Sequence, residues 1–146
     1  MIKIYTDGAC KGNPGPGGWG AIIMGIEGKV EIHGGDRDTT NNRMEMTAVI
    51  EALKNINQQS DCHLTVFTDS TYVLKGMTEW IAGWKKNNWI SSTKKPVKNK
   101  DLWLILDLLV SKYDIDWVWV KGHSGHPENE RADSLANIGV DELLQQ

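Results

Sequence analysis

Apolar and polar positions change their period part-way along the chain. Near the start, Ile2 to Thr6 and Val30 to His33 place apolar side chains at alternate positions, as half-buried strands do, and the apolar run in Gly20 to Met24 is a third strand candidate. Leu64 to Thr68 and Ile115 to Val120 are two more strand candidates. Elsewhere apolar residues recur at three- and four-residue spacing. That period predicts helices from about Asn42 to Asn57, from Thr71 into the mid-eighties with a break near Gly76, from Lys100 to Lys112, and from Glu128 to Leu144. Three successive strands without a helix predict an antiparallel meander, and the later alternation predicts parallel pairing through helical crossovers. The expected class is α/β, a mixed sheet covered by helices.

Two strand ends echo each other. Tyr5-Thr6-Asp7-Gly8 closes the first strand and Phe67-Thr68-Asp69-Ser70 the fourth, which puts an Asp at two carboxyl ends, where ligands of open α/β sheets gather. If these strands are parallel neighbours, the carboxylates stand side by side. Asp is disfavoured in strands, and either one alone could simply cap the following turn. Glu45 is expected in the first turn of its helix, where an acid suits the dipole. It also shares a face with Ala48, Val49, Ala52 and Ile56, the stripe that should meet the sheet, and a carboxylate on a buried stripe needs a partner. Asp133 stands in line with Ala136 and Val140 at the edge of the last helix's apolar face, whereas Glu128 and Glu130 read as dipole-compensating acids.

If the four carboxylates converge at ~5 Å, each pair repels by ~3 kcal/mol at an effective dielectric of ~20, and the sum approaches a domain's stability. Two divalent cations are the simplest relief. All-oxygen donors select Mg²⁺ or Mn²⁺ over zinc, and a pair of such ions serves in-line displacement at phosphorus.

Composition adds a charge pattern. The 146 residues suit one domain (1–146), with 40% hydrophobic and 24% charged residues as in a soluble globule. The net charge of −3 hides an uneven distribution: residues 85–100 carry six Lys and no acid, while the remaining 130 hold ten basic and nineteen acidic groups. Trp80 and Trp84 precede this run, Trp89 interrupts it and Trp103 follows it. A lysine run is ordinarily a solvated face, but lysines interleaved with aromatic rings suit phosphates and bases, so a basic projection holding nucleic acid is expected. Some of these rings must still serve the core, because the Leu102, Ile105, Leu106, Leu109 stripe needs a cover. No signal peptide or membrane span is expected, and Cys10 and Cys62 form no metal or disulfide pattern, so a cytoplasmic location is expected.

Gly12 to Gly20 reads as a tight connection between two strands; it lacks the G-K-[ST] ending of a phosphate loop, although Cys10 and Asn13 lie close enough to Asp7 to touch a substrate. Lys121 to Pro127 carries His123 and His126. Their spacing is not that of helical zinc ligands; His123 suits proton transfer and His126, before Pro127, reads as structural.

Together, Ile4 to Gly8, Gly12 to Gly18, Thr39-Thr40-Asn41-Asn42-Arg43-Met44-Glu45, Thr68-Asp69-Ser70, Trp84-Lys85-Lys86, Lys95 to Asn99, and Val120-Lys121-Gly122-His123 through Asp133 resemble the bacterial-type ribonucleases HI over nearly the whole chain. The resemblance implies a five-stranded mixed sheet with flanking helices and a basic protrusion at about 80–100. It implies a cytoplasmic, monomeric endonuclease that cuts the RNA strand of RNA/DNA hybrids, leaving 5′-phosphate and 3′-hydroxyl ends, with two Mg²⁺ per site and Mn²⁺ as the alternative. Asp7 would bridge both ions, Asp133 would help hold the ion that activates water, and Glu45 with Asp69 would hold the ion near the leaving oxygen. His123 would shuttle protons or assist product release. The Gly8 to Asn13 backbone and Asn41 would contact 2′-hydroxyls, the group that separates RNA from DNA. Asn42 would face the DNA, and Thr40 and Asn99 would grip a DNA phosphate. Trp80, Trp84, Lys85, Lys86 and Trp103 would belong to the hybrid-holding surface. Two positions depart from the family: Thr71 where many relatives have Gln, and Asp38 beside Arg37 where relatives often have Arg. A hybrid-binding module without catalysis and a DNA-cutting nuclease of the same fold are the alternatives.

Overall fold

The computed structural model describes residues 2–25, 28–56, 63–121 and 126–146. Its elements are β1 (Ile2–Cys10), β2 (Gly15–Gly25), β3 (Gly28–Thr39), α1 (Asn41–Lys54), β4 (His63–Thr68), α2 (Thr71–Lys75), a π-helical turn (Gly76–Trp80), α3 (Ile81–Lys86), α4 (Lys100–Val110), β5 (Asp114–Trp119) and α5 (Pro127–Leu144). The strands form one five-stranded sheet in the order β3-β2-β1-β4-β5. β1 pairs antiparallel with β2, and β2 with β3, while β1 with β4 and β4 with β5 are parallel. The expected mixed sheet is the observed one.

Strand alternation assigns the two faces. Ile4, Ala21, Ile23, Leu64 and Val66 join the main core with Met46, Val49, Ile50 and Leu53 of α1 and with Trp103 and Leu106 of α4. On the other face of β2, a Cβ at Gly18 would strike the Ala136 carbonyl, and one at Gly20 would strike Leu135 and the Ala132 carbonyl. Glycine there lets α5 lie directly on β2. This corrects the expected loop from Gly12 to Gly20: the turn residues end at Pro14, and the later glycines are strand positions selected by a helix pressed against them.

Two further expectations change. No break interrupts the helix near Gly76; the backbone widens into a π turn, and the Trp103 ring occupies the space that a Gly76 side chain would need. On α4, the buried residues are Trp103 and Leu106, whereas Ile105 is exposed with Leu104 and Leu108. Leu106 is buried and Leu102 and Leu109 pack against the core as expected of the stripe, and Trp103 takes the inward place expected of Ile105.

Candidate active site

Parallel pairing of β1 with β4 sets Thr6 opposite Thr68, so Asp7 and Asp69 follow at adjacent strand ends. Thr40 caps α1, its hydroxyl accepting from Arg43 N at 3.2 Å, which starts the helix at Asn41 and puts Glu45 beyond the first turn. The dipole explanation for this acid therefore falls away, and its burial remains. Glu45 is 4% and Asp7 6% exposed. Gly8 controls their approach: a Cβ there would collide with Glu45 N and with Met44, so α1 reaches the end of β1 only over a glycine.

Asp7, Glu45 and Asp69 offer carboxylate oxygens that all lie within 4.8 Å of one another. Asp133 stands outside that tight triad. It nevertheless lines the same cleft of about 340 Å³, with Asp7, Gly8, Asn41, Asn42, Glu45, Asp69, Ser70, Thr71 and Tyr72. The four acids thus divide into a compact three and a fourth facing Asp7.

Burial and like charge dominate the electrostatics. Burial first, then the Asp69 charge, pushes the Asp7 carboxyl up to about 7, against the lowering effect of Glu45 and of the Gly8 amide, which donates to Asp7 Oδ1 at 2.9 Å. Burial, followed by Asp7 and Asp69, raises Glu45 well above the usual carboxylate range. One oxygen of Glu45, Oε1, is buried with no hydrogen-bond partner among the described residues. An orphaned buried oxygen beside two further carboxylates, all hard donors, fits a hard divalent cation.

The sequence model of the RNase H family matches residues 1–141. The chain belongs to the ribonuclease H family. Ribonuclease H of Dechloromonas aromatica is 58% identical over 142 residues, covering 97% of this chain and 95% of the relative. That of Polynucleobacter asymbioticus is 60% identical over 143 residues, covering 98% and 92%. Among solved structures, LC9-RNase H1 aligns with a TM-score of 0.85 at 32% identity over 97% of this chain and 72% of that one. LC11-RNase H1, solved in complex with an RNA/DNA hybrid, aligns with a TM-score of 0.77 at 26% identity over 99% of each chain.

Within this ribonuclease H fold the remaining expected site residues separate by position. Asn41, Asn42 and Thr71 are exposed on the cleft wall. Asn13 Oδ1 accepts from Asn41 N at 3.1 Å and so ties the glycine-rich turn to the start of α1. Cys10 is a free, half-buried thiol facing the Gly15 and Thr39 carbonyls, and Cys62 lies outside the described residues. His123 also lies outside them, while His126 is the N-cap residue of α5.

Trp103 is a correction. It is fully buried and touches Tyr72 and Trp84, with ring centroids 5.3 Å away in each case, so it supports the site from below rather than meeting substrate. Trp80 is 36% exposed and, with Trp84, lines a surface hollow of about 540 Å³ that also includes Gly83, Asn87 and Ile90. Lys86, Lys94, Lys95 and Lys98 are exposed, whereas Lys85 already has Asp107 at 3.3 Å. Arg37 donates to the Leu143 carbonyl at the end of α5, away from Thr40. Sequence reasoning missed Tyr72, a cleft-lining residue three after Asp69, and Arg43, which pairs with Asp101 and Asn99.

Proposed function

We propose that this protein is a metal-dependent endonuclease that hydrolyses the RNA strand of RNA/DNA hybrids, leaving 5′-phosphate and 3′-hydroxyl ends. The observation that carries the reading is the Asp7-Glu45-Asp69 triad, with Asp7 and Glu45 buried and Asp69 half-buried, and Asp133 across the same cleft, on a chain of the ribonuclease H family. LC11-RNase H1, bound to an RNA/DNA hybrid in its solved structure, supports the substrate class.

Mg²⁺ is the cation that the all-oxygen donor set favours, with Mn²⁺ next. Glu45 and Asp69 with Asp7 would hold one ion and Asp7 with Asp133 a second, supplying charge neutralisation at phosphorus and an acidified water. The chain's own residues bind and orient. Asp7, which would serve both ions, is oriented by Gly8 N, which donates to its Oδ1. Asn41, on the cleft rim, can donate to a 2′-hydroxyl, and Thr40 and Asn99 to a phosphate of the DNA strand. Trp80 and the exposed lysines of 86–98 hold the hybrid beyond the cleft, through a ring face and through charge. His123 is assigned proton transfer. The protein acts as a single cytoplasmic domain and a monomer.

A strand-labelled assay comparing RNA/DNA, RNA/RNA and DNA/DNA with Mg²⁺ and with EDTA tests this. Cleavage confined to the RNA of the hybrid and lost in EDTA is expected. Cleavage of the DNA strand, or binding without any cleavage, would overturn the reading.

A further inference from the structure

At the corner where α1, α2 and α4 meet, a chain of hydrogen bonds runs outside the carboxylate triad. Arg43 donates from Nη1 and Nη2 to the Asp101 carboxylate at 3.0 and 2.7 Å, and Nη1 also donates to Asn99 Oδ1 at 3.2 Å. Asn99 Nδ2 donates to the Tyr72 hydroxyl at 3.0 Å, and Trp103 Nε1 donates to the same oxygen at 3.3 Å.

An inventory of donors fixes this arrangement. A guanidinium has no acceptor, so the amide atom facing Arg43 must be the oxygen. The Asn99 nitrogen then faces Tyr72. The indole N–H of Trp103 can only donate, so both lone pairs of the Tyr72 oxygen are taken and the Asn99 amide has no reason to flip. One Nδ2 hydrogen is spent on Tyr72. The other has no partner among the described residues.

The backbone of Asn99 adds a second observation. Its φ of 61° is left-handed, and although it occupies the N-cap position of α4, its side chain makes no capping bond. Asn at that position ordinarily turns its oxygen onto the helix amides. Here the oxygen is committed to Arg43 instead, and a strained residue that also forgoes its cap is held by its surroundings.

Building on the assignment of Asn99 to a DNA phosphate, we propose that Arg43 and Tyr72 are positioning residues for substrate binding: together they lock the Asn99 amide so that its free N–H is presented to that phosphate. Arg43 acts through Asn99 and not as the phosphate's own counterion, because Asp101 already offsets its charge. Lys98 and Lys100, both exposed, flank Asn99 and supply the long-range attraction. Arg37, turned to the end of α5, leaves Arg43 as the guanidinium at this corner.

The test is steady-state cleavage of an RNA/DNA hybrid by the full chain, with melting temperatures measured alongside. Variants are Asn99→Ala, Tyr72→Phe, Arg43→Lys and the double variant Tyr72→Phe with Asn99→Ala. Losing one phosphate hydrogen bond in Asn99→Ala should raise KM about 5- to 10-fold. Tyr72→Phe keeps the ring and removes only the hydroxyl that Asn99 donates to; it should raise KM about 3- to 10-fold, with the change in KM rather than kcat. Arg43→Lys, which retains charge but loses the fork, should do the same. In the Asn99→Ala background, Tyr72→Phe should add nothing further. The proposal is overturned if Asn99→Ala raises KM while Tyr72→Phe and Arg43→Lys leave it at the wild-type value, or if the Tyr72→Phe effect persists undiminished without Asn99. Should Asn99→Ala itself leave KM unchanged, the phosphate assignment fails, and the positioning roles fall with it. Hybrids with single methylphosphonates along the DNA strand separate these outcomes: wild type should be sensitive at one phosphate and Asn99→Ala should not.

Discussion

Gly8 sets how closely Glu45 approaches Asp7, because any Cβ at that position meets the α1 backbone. Gly8→Ala is therefore expected to cost ~1–3 kcal/mol by overpacking and, by pushing Glu45 out of the triad, to lose metal-dependent cleavage beyond what the drop in stability explains. Thermal melting and cleavage at a temperature well below the variant's transition measure the two separately; full activity in a destabilised variant would mean the approach is not needed. Asp7→Asn has the opposite stability sign. It removes a buried charge that Asp69 repels, so the metal-free variant should be more stable than wild type by on the order of 1–3 kcal/mol. Cleavage should vanish while hybrid binding in EDTA survives. Appreciable Mg²⁺-dependent turnover by Asp7→Asn would refute the assigned site. Both residues were legible in the sequence as a strand ending in Asp-Gly. What was not legible was that Gly8 makes room for a helix, since no periodicity reports what lies across a glycine.

Among the elements, the sheet was read well and the segment after α2 only partly. Alternation located every strand, yet β1 and β2 run longer than alternation suggested, because glycines carry no hydropathy signal although α5 requires them at positions 18 and 20. Trp103 misled in the other direction: an indole near lysines suggested exposure, and the π turn at Gly76 instead receives its ring in the core. The lysines of the segment nonetheless remain outside. Replacing Lys86, Lys94, Lys95 and Lys98 with Ala should weaken hybrid binding and flatten its logarithmic salt dependence by up to ~0.9 per lost phosphate contact. An unchanged slope would reduce the segment to a solvated face. At the β5 edge, His63 Nδ1 meets Asp114 at 3.0 Å and Nε2 meets Asp116 at 2.9 Å, so one ring bridges β4 to two positions of the outer strand. Hydrogen bonding to Asp114 and Asp116 raises the imidazole above its ordinary value. A group raised in the folded state stabilises fully below its unfolded pKa of about 6.5, and the contribution is lost as pH rises through the folded value. Wild type should thus melt above His63→Gln at about pH 5.5, with the gap closing in alkali; a gap independent of pH would exclude the clamp.

For the whole molecule, the net charge of −3 is a sum of opposed parts. The lysine segment is positive and exposed, and the acidic remainder includes a triad of which the fold buries Asp7 and Glu45 and half-buries Asp69. Sequence patterning could nominate all four carboxylates, since each breaks a local rule for strands or apolar faces. It could not divide them into three and one, because that depends on where α5 crosses the sheet, which the packing of Ala136 and Leu135 onto Gly18 and Gly20 decides. The arrangement links stability to both protons and cations. Asp7 is held at about 7 from an ordinary 3.8, and Glu45 too is raised well above the usual carboxylate range by burial and by Asp7 and Asp69. Carboxyls raised in the folded state contribute stability that is complete below about pH 4 and is lost as pH rises through about 7, because the unfolded chain ionises first. In EDTA the melting temperature should therefore fall between about pH 5 and pH 8. Saturating Mg²⁺ is expected to replace the lost protons as the source of compensation. At a fixed concentration, ten times the dissociation constant at pH 8, it should add ~1.4 kcal/mol there, or about 3–6 °C for a chain of this size, and less at pH 5, where protons compete for the carboxylates. Taking the difference between the Mg²⁺ and EDTA melts at each pH removes the His63 contribution, which is common to both. In Asp7→Asn the Mg²⁺ gain should shrink at both pH values; a wild-type gain in that variant would place cation binding elsewhere on the acidic surface.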